Sequence, residues 1–373
     1  MNLSVEKVKI YSKRRKLDVI LIISLFLLCT VGAVFVYSAS NYVAQRDYGD
    51  KYYFLKKQII GYLLGIVAFI FFTFFDIKKL KKFALVILIV SLLLLALVLT
   101  PLGKEAYGAK RWIGIGGFTV QPSEFARLAF VIFCAGYFSN DIERVKTFKG
   151  ILPVLLAGGI TCLLIIAEPN MSVTICMGGL MLAMLFVSGI KIKHLFLILF
   201  PILLALPLLI IAEPYRLKRL MAFLDPWASP KGEGYQLIQS LYGLGSGGLF
   251  GVGIFNSKQK LLFLPFAESD FILSVIGEEV GFIGILCLFA ICGVIVWRSI
   301  KNALNSKNLF NYLLCLGIAS LFIIQIAVNA LVVTGSIPPT GIPFPLVSSG
   351  NTQILTFMGA FGIVNNVYNE NLN

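Results

Sequence analysis

The sequence is poor in charged residues. Only 13% of its 373 residues are Asp, Glu, Lys or Arg, whereas 58% are hydrophobic. A soluble domain has about a quarter charged residues, which it needs to cover its surface. This shortage excludes an ordinary soluble enzyme and a disordered chain, and it predicts an integral membrane protein.

Histidine and paired cysteines are also scarce. The sequence contains one histidine, His194, and seven cysteines, none of which belongs to a CxxC pair. A zinc site or a disulfide framework needs cysteines at short, regular spacings or beside histidines. We therefore expect the cysteines to be small packing residues, and we expect His194 to lie in a short loop at the membrane interface.

Long apolar runs occur along the whole chain. A helix needs about 20 apolar residues to cross the hydrocarbon core of a bilayer. Ten segments reach or approach this length: roughly 18–38, 58–75, 83–100, 122–138, 151–167, 172–189, 195–211, 274–297, 312–333 and 349–366. No alternation with a period of two residues recurs, so these runs favour helices over a β-barrel. The predicted fold class is all-α: a single polytopic domain over 1–373 with a bundle of about ten transmembrane helices.

Lysine and arginine residues are concentrated on one side of this predicted bundle. The basic segment 1–17 and the short loops on its side hold most of them, once the long loop 212–273 is set aside. Short cytoplasmic loops carry such an excess of positive charge, so both termini are predicted to be cytoplasmic. The segment 212–273 then becomes a large extracytoplasmic loop between spans 7 and 8. The net charge of +14 indicates topology and contact with anionic lipids, not a nucleic-acid partner.

Ionisable residues cluster at the predicted outer face. Asp270 precedes the eighth span, beside Phe271. Desolvation there would make it a general base near neutral pH, although an aspartate at this place also suits a helix cap. Glu124 and Arg127 lie three residues apart on one helix face, where they form either a cavity-facing site or a structural ion pair.

Basic residues form a second candidate set. Arginine and lysine recognise phosphate groups, but they also make ordinary contacts with lipid head groups. The candidates for substrate binding are Lys110, Arg111, Arg216, Arg219 and Lys258.

Several motifs occur in one order along the chain. They are Lys110-Arg-Trp112 with 121–127, Tyr215-Arg-Leu-Lys-Arg219 with 223–227, 234–240, 244–253, 270–272, 277–281 and Thr340-Gly-Ile-Pro-Phe-Pro345. Together they resemble the SEDS family (shape, elongation, division and sporulation proteins), on its FtsW/SpoVE branch.

This resemblance implies a peptidoglycan glycosyltransferase of the cell membrane. Such enzymes polymerise lipid II, the undecaprenyl-pyrophosphate-linked disaccharide-peptide, on the outer face of the membrane, for the division septum or the spore wall. Their partners are a class B penicillin-binding protein and other divisome or sporulation proteins. The essential aspartate of the family falls on Asp270, and its glutamate and basic residue fall on Glu124 and Arg127.

The same resemblance implies a single inverting displacement. Asp270 would take the proton of the acceptor hydroxyl, and basic residues would neutralise the leaving pyrophosphate. Whether a divalent cation, Mg²⁺ or Mn²⁺, shares this second task is left open by the sequence.

Some positions depart from the family pattern. Glu268 and Ser269 stand where histidine and threonine are frequent, Asn170 in Glu168-Pro-Asn170 stands where aspartate is usual after Gln-Pro, and 348–351 differs from the common Ser-Tyr-Gly-Gly. Two further functions therefore stay open. One is transport of a lipid-linked precursor, and the other is a non-catalytic scaffold for a penicillin-binding protein.

Overall fold

The computed structural model describes residues 16–106, 109–115, 118–211 and 214–372. Within these ranges the chain forms thirteen α-helices and three short strands. The helices are α1 Val19–Tyr48, α2 Tyr53–Phe74, α3 Ile77–Lys82, α4 Ala84–Val98, α5 Pro122–Asn140, α6 Phe148–Ala167, α7 Met171–Val187, α8 Ile192–Ile211, α9 Pro214–Leu224, α10 Tyr235–Gly247, α11 Ile272–Leu304, α12 Leu309–Val333 and α13 Asn351–Asn371. The strands are β1 Gly103–Ala106, β2 Ala109–Ile115 and β3 Phe118–Val120.

The helical fold predicted from the sequence is confirmed. Ten helices coincide with the ten predicted spans, namely α1, α2, α4 to α8 and α11 to α13. In the described part of the chain, α1, α2, α6, α11 and α12 are long and apolar enough to cross a membrane by length and composition. Among the others, α4 and α7 are shorter apolar helices, whereas α5 and α13 bury most of their residues and carry polar side chains within the bundle. All seven cysteines are free.

The connections are more structured than predicted. The segment 212–273 contains two helices, α9 and α10, and an irregular stretch after Gly247. Between α4 and α5, the three strands form an antiparallel sheet in which Lys104 pairs with Trp112 and Ile113 with Val120. His194 lies in the first turn of α8, not in a loop. Of the basic segment 1–17, residues 1–15 lie outside the described residues.

Small residues let α2 and α13 pack closely. A side chain at Gly61 or Gly65 of α2 would meet Ile354 or Met358 of α13, and one at Gly362 would meet the backbone of α2. Close approach of this kind is how helices associate in lipid, where the hydrophobic effect supplies no driving force between them.

A buried ion pair fastens the ends of three helices. Arg298 near the end of α11 donates to Asp18 at 2.8 Å, and Asn302 donates to the same carboxylate at 3.0 Å. The backbone N–H of Asp18 donates to Asn365 of α13 at 2.8 Å. Since the Asp18 carboxylate also caps α1 through Leu21, this one residue ties α1, α11 and α13 together.

Helix α11 is broken at Gly281, whose φ of 68° lies in the left-handed region. The segment 248–253 pairs with this break. Val252 and Gly253 donate to the carbonyls of 278 and 279 at 2.9 and 3.0 Å, and Phe282 and Ile283 donate to those of 248 and 249 at 2.9 and 3.1 Å. Four of the backbone groups beside the break thus find partners, as a non-helical segment inside a bundle requires.

Gly281→Ala should therefore destabilise the protein strongly. An added Cβ would overlap the backbone N of Gly251 and the carbonyl O of Leu249, and alanine at positive φ costs a further 1–2 kcal/mol, roughly. We expect a loss of at least about 2 kcal/mol of unfolding free energy, measured by thermal unfolding of the purified protein in detergent. The matched control is Gly293→Ala in the same helix, where an added Cβ meets nothing within 4 Å. Equal melting temperatures of the two variants would contradict this account of the break.

Candidate functional site

Asp270 lies immediately before α11 and does not cap it. The cap position is Phe271, with no side-chain hydrogen bond to the helix, so the capping alternative raised by the sequence is wrong. Instead, Oδ1 of Asp270 accepts a hydrogen bond from Ser269 at 2.9 Å. Its Oδ2 faces Gly341, where a Cβ would lie 3.0 Å away. The carboxylate is half-buried and its second oxygen points toward the proline-rich loop 334–350.

This proline-rich loop is bound to the segment around Asp270. Asn329 of α12 donates to the carbonyls of Asp270 and Ile342 at 2.8 and 2.7 Å. Ser349 donates its N–H to the carbonyl of Glu268 at 2.9 Å, and Ser348 Oγ donates to that of Ser269 at 2.6 Å. Hydrogen bonds to the backbone carbonyls of 268–270 therefore hold Asp270 in place.

Burial and nearby charges set the basicity of Asp270. Burial raises the pKa of its carboxyl to about 6, while the hydrogen bond from Ser269 and the charges of Arg111 and Arg219 oppose this rise. A carboxylate with such a pKa is ionised at pH 7 and is a better proton acceptor than an ordinary aspartate. Burial also raises the pKa of Glu268, with the carboxylates of Asp270 and Asp47 adding to the effect.

A second carboxyl group lies near Arg111. The guanidinium of Arg111, on β2, donates to the carbonyl of Glu168 at 3.4 Å and to that of Pro169. The Glu168 side chain is fully buried, and burial raises its pKa to about 8 against the opposing charge of Arg111. Neither of its oxygens has a hydrogen-bond partner among the described residues. The neighbouring Asn170 accepts from Val173 at 3.4 Å and caps α7, which gives this departure from the family pattern a structural role.

Glu124 and Arg127 pair with each other. They are 4% and 1% exposed, and the Arg127 guanidinium also donates to Gln325 of α12 at 2.8 Å. Gln325 and Gln353 in turn donate to the carbonyl of Pro343 at 3.0 and 3.1 Å. Of the two alternatives that the sequence left open, this geometry corresponds to the structural ion pair, which supports the proline-rich loop from within the bundle.

The remaining basic candidates are dispersed. Arg219 is exposed on α9 and its charge acts on Asp270, whereas Lys110 is exposed on β2. Lys258 is exposed and lines a separate cavity of about 360 Å³ with Tyr242 and Asn256. The side chain of Arg216 lies outside what the structure describes. The structure thus brings Arg111 and Arg219 near Asp270, but not Lys258.

The sequence motifs do not single out the buried amides or Glu168 as candidate site residues. Asn329, Gln325 and Gln353 are 0%, 0% and 2% exposed and bind loop carbonyls. A usable signal was present, since polar residues inside apolar helices usually face a partner or a cavity. Glu168 belongs to the segment Glu168-Pro-Asn170, but Arg111, the neighbour that distinguishes it, lies 57 residues away in the sequence.

The fold and the site define a multi-pass membrane protein with a half-buried carboxylate near two arginines, beside a proline-rich loop. A family model described as cell cycle protein, covering FtsW, RodA and SpoVE, matches residues 18–373. The chain belongs to this family.

Known relatives match over nearly the full length. Stage V sporulation protein E of Bacillus subtilis is 36% identical over 95% of this chain and 98% of its own. The probable peptidoglycan glycosyltransferase FtsW of Trichlorobacter lovleyi is 39% identical over 94% and 92%. One solved structure is described as showing the structural coordination of polymerization and crosslinking by a peptidoglycan synthase complex. It matches with a TM-score of 0.79 and 27% identity, over 95% of this chain and 98% of that chain.

Removing Arg127 should be costly because it leaves the buried Glu124 unpaired. We expect Arg127→Met to lower the unfolding free energy by about 3–5 kcal/mol, and Glu124→Gln combined with Arg127→Met to recover a large part of the loss. Thermal unfolding in detergent measures both. Lys146→Met is the control, because Lys146 and Glu143 form a pair of the same spacing that is 51% and 67% exposed. A loss in this control as large as in Arg127→Met would contradict the assignment.

Proposed function

We propose that the protein is a peptidoglycan glycosyltransferase that polymerises lipid II into glycan strands. The observation that carries this proposal is the half-buried carboxylate of Asp270, with its raised pKa and with Arg111 and Arg219 within electrostatic reach. A base and cations side by side are what a transfer between a sugar hydroxyl and a sugar pyrophosphate needs. The names of several relatives, probable peptidoglycan glycosyltransferases, support it.

The reaction follows from these groups. The acceptor hydroxyl loses its proton to the Asp270 carboxylate while its oxygen attacks the anomeric carbon of the donor. The bond from that carbon to the pyrophosphate oxygen breaks in the same displacement, so the configuration inverts. Arg111 and Arg219 would neutralise the charge that develops on the pyrophosphate, because guanidinium groups suit phosphate oxygens. Glu124 and Arg127 would act indirectly, by holding the proline-rich loop against Asp270.

A divalent cation, Mg²⁺ or Mn²⁺, fits this site only together with the substrate. Among the described residues, no three His, Cys, Asp or Glu side chains lie close enough to hold a metal ion. Mg²⁺ is often bound by one or two carboxylates plus substrate phosphates, and Glu268 beside Asp270 could supply these carboxylates. Such an ion would add positive charge at the pyrophosphate.

The proposal extends to partners and location. One matching structure comes from a peptidoglycan synthase complex in which polymerization and crosslinking are coordinated, which supports a class B penicillin-binding protein as the partner. We further propose that both termini are cytoplasmic, that 212–273 faces outward and that the protein acts at the division septum or the spore wall, together with other divisome or sporulation proteins.

Asp270→Asn should slow polymerisation strongly. Purified with its penicillin-binding partner and given lipid II, the wild type should form glycan strands on a gel, and the variant should be slower by about 10²–10⁴-fold. The wild-type kcat should rise as the pH rises through about 6, because Asp270 loses its proton there. The control is Asp50→Asn, at an exposed carboxylate that pairs with Lys56.

The outcomes separate the candidate functions. If both the wild type and Asp270→Asn form polymer, the protein is a glycosyltransferase whose general base is a residue other than Asp270. No polymer from the wild type, with the partner bound, would turn the proposal toward the scaffold or the precursor transporter.

The topology can be tested by labelling with a membrane-impermeant maleimide. Ser229→Cys, in the 212–273 segment, should react in intact spheroplasts, whereas Lys307→Cys, between α11 and α12, should react only after permeabilisation. Both positions are exposed, and the unsubstituted chain, whose seven cysteines lie in helices, provides the background. The reverse labelling pattern would contradict the proposed orientation.

A further inference from the structure

Glu168 is a buried acid that the reaction described above does not use. It follows the last residue of α6, none of its surface is exposed, and both carboxyl oxygens lack a hydrogen-bond partner within the described part of the chain. Burying an unpaired carboxylate costs far more than burying the neutral acid. Near neutral pH the group is therefore protonated, in agreement with a pKa of about 8.

Arg111 connects this acid to Asp270. Its Nε donates to the carbonyl of Glu168 at 3.4 Å and its Nη2 to that of Pro169. The guanidinium charge lowers the pKa of Glu168 and also that of Asp270. Arg111 thus lies within electrostatic reach of two carboxyl groups, of which one belongs to the proposed catalytic site and the other is sealed from solvent.

The surroundings of Glu168 contain little other charge. Arg111 is the one charged group whose effect on Glu168 is resolved among the described residues. The nearby Asn170 is neutral and occupied with the cap of α7. On the catalytic side, Asp270 responds to the charges of both Arg111 and Arg219. Ionisation of Glu168 would therefore add a negative charge close to Arg111, from a group outside the catalytic site.

We propose that Glu168 is a positioning residue that acts through Arg111. As a neutral acid it adds no negative charge beside Arg111, so it does not weaken the attraction between the guanidinium and the pyrophosphate of the lipid substrate. Once ionised, it attracts the guanidinium and compensates that charge, so the anionic ligand binds more weakly. Glu168 does not touch the substrate itself, since it is fully buried. The identity of the ligand as a lipid pyrophosphate rests on the proposed function.

Glu168→Gln separates ionisation from shape. Glutamine has the size of the protonated acid but cannot ionise, so it should hold Arg111 in the same way at every pH. The probe is undecaprenyl pyrophosphate, whose binding to the detergent-purified full chain is measured from pH 6 to pH 9 for wild type and variant. Titration of the ligand itself affects both proteins equally and cancels in the ratio of their dissociation constants. Relative to Glu168→Gln, the wild-type affinity should fall about tenfold between pH 7 and pH 9, as expected for a group with a pKa near 8.

Polymerisation of lipid II gives a second readout. The KM of the wild type, but not its kcat, should rise between pH 7 and pH 9 relative to Glu168→Gln. Substitution of a residue with only a structural role would change stability, but it would not produce a pH-dependent change in KM at constant kcat. Glu143→Gln, at an exposed carboxylate, should follow the wild-type profile.

Arg111→Ala tests whether the effect passes through Arg111. In that background, adding Glu168→Gln should no longer change the pH dependence of binding. A pH difference that survives without Arg111 would overturn the inference, and so would identical profiles of wild type and Glu168→Gln or a wild type that does not bind the probe. Failure of the wild type to polymerise lipid II while it still binds the probe would contradict the proposed function alone.

Discussion

A polar group inside a hydrocarbon bundle has to find its partner within the chain, because lipid offers none. The site depends on this constraint. Three buried amide side chains, Asn329, Gln325 and Gln353, direct their N–H groups at carbonyls of the proline-rich loop or of Asp270. The prolines leave that loop without helical hydrogen bonds, so its carbonyls need donors from α12 and α13. Satisfying those carbonyls also fixes the position of the carboxylate that faces Gly341.

The same constraint governs the break in α11. The first part of the helix, 272–280, spans about 13 Å at 1.5 Å per residue. Its far end is held by backbone pairing with 248–253 and by the buried pair of Glu279 and Lys260 at 2.9 Å, to which Ser38 of α1 also donates at 2.6 Å. Its near end carries Asp270. The direction of this short helix, and so the place of Asp270, is therefore set from both ends.

Hydropathy was sufficient to predict the bundle, because the need for about 20 apolar residues per span is a local property of the sequence. The sheet between α4 and α5 and the helices α9 and α10 lack such a local signature, since they form at the polar ends of the bundle against neighbours distant in sequence. The spacing of Glu124 and Arg127 predicted a shared helix face but not their depth. Only the contact with Gln325, nearly 200 residues away, shows what the pair supports.

The pKa values at the candidate site also depend on contacts between residues that are distant in the sequence. The sequence placed Asp270 beside apolar residues and so predicted the direction in which burial raises its pKa. It could not predict that Arg111 lies close enough to act on both Asp270 and Glu168, because β2 reaches these residues only in the folded chain. Desolvation and a guanidinium charge act in opposite directions on each acid. The pKa of Glu168, which among the described residues only the charge of Arg111 lowers, reaches about 8, whereas the Ser269 hydrogen bond and the charges of Arg111 and Arg219 hold that of Asp270 to about 6. Between these two values, Asp270 is ionised and can accept a proton while Glu168 stays neutral, so only one of the two acids places a negative charge near Arg111.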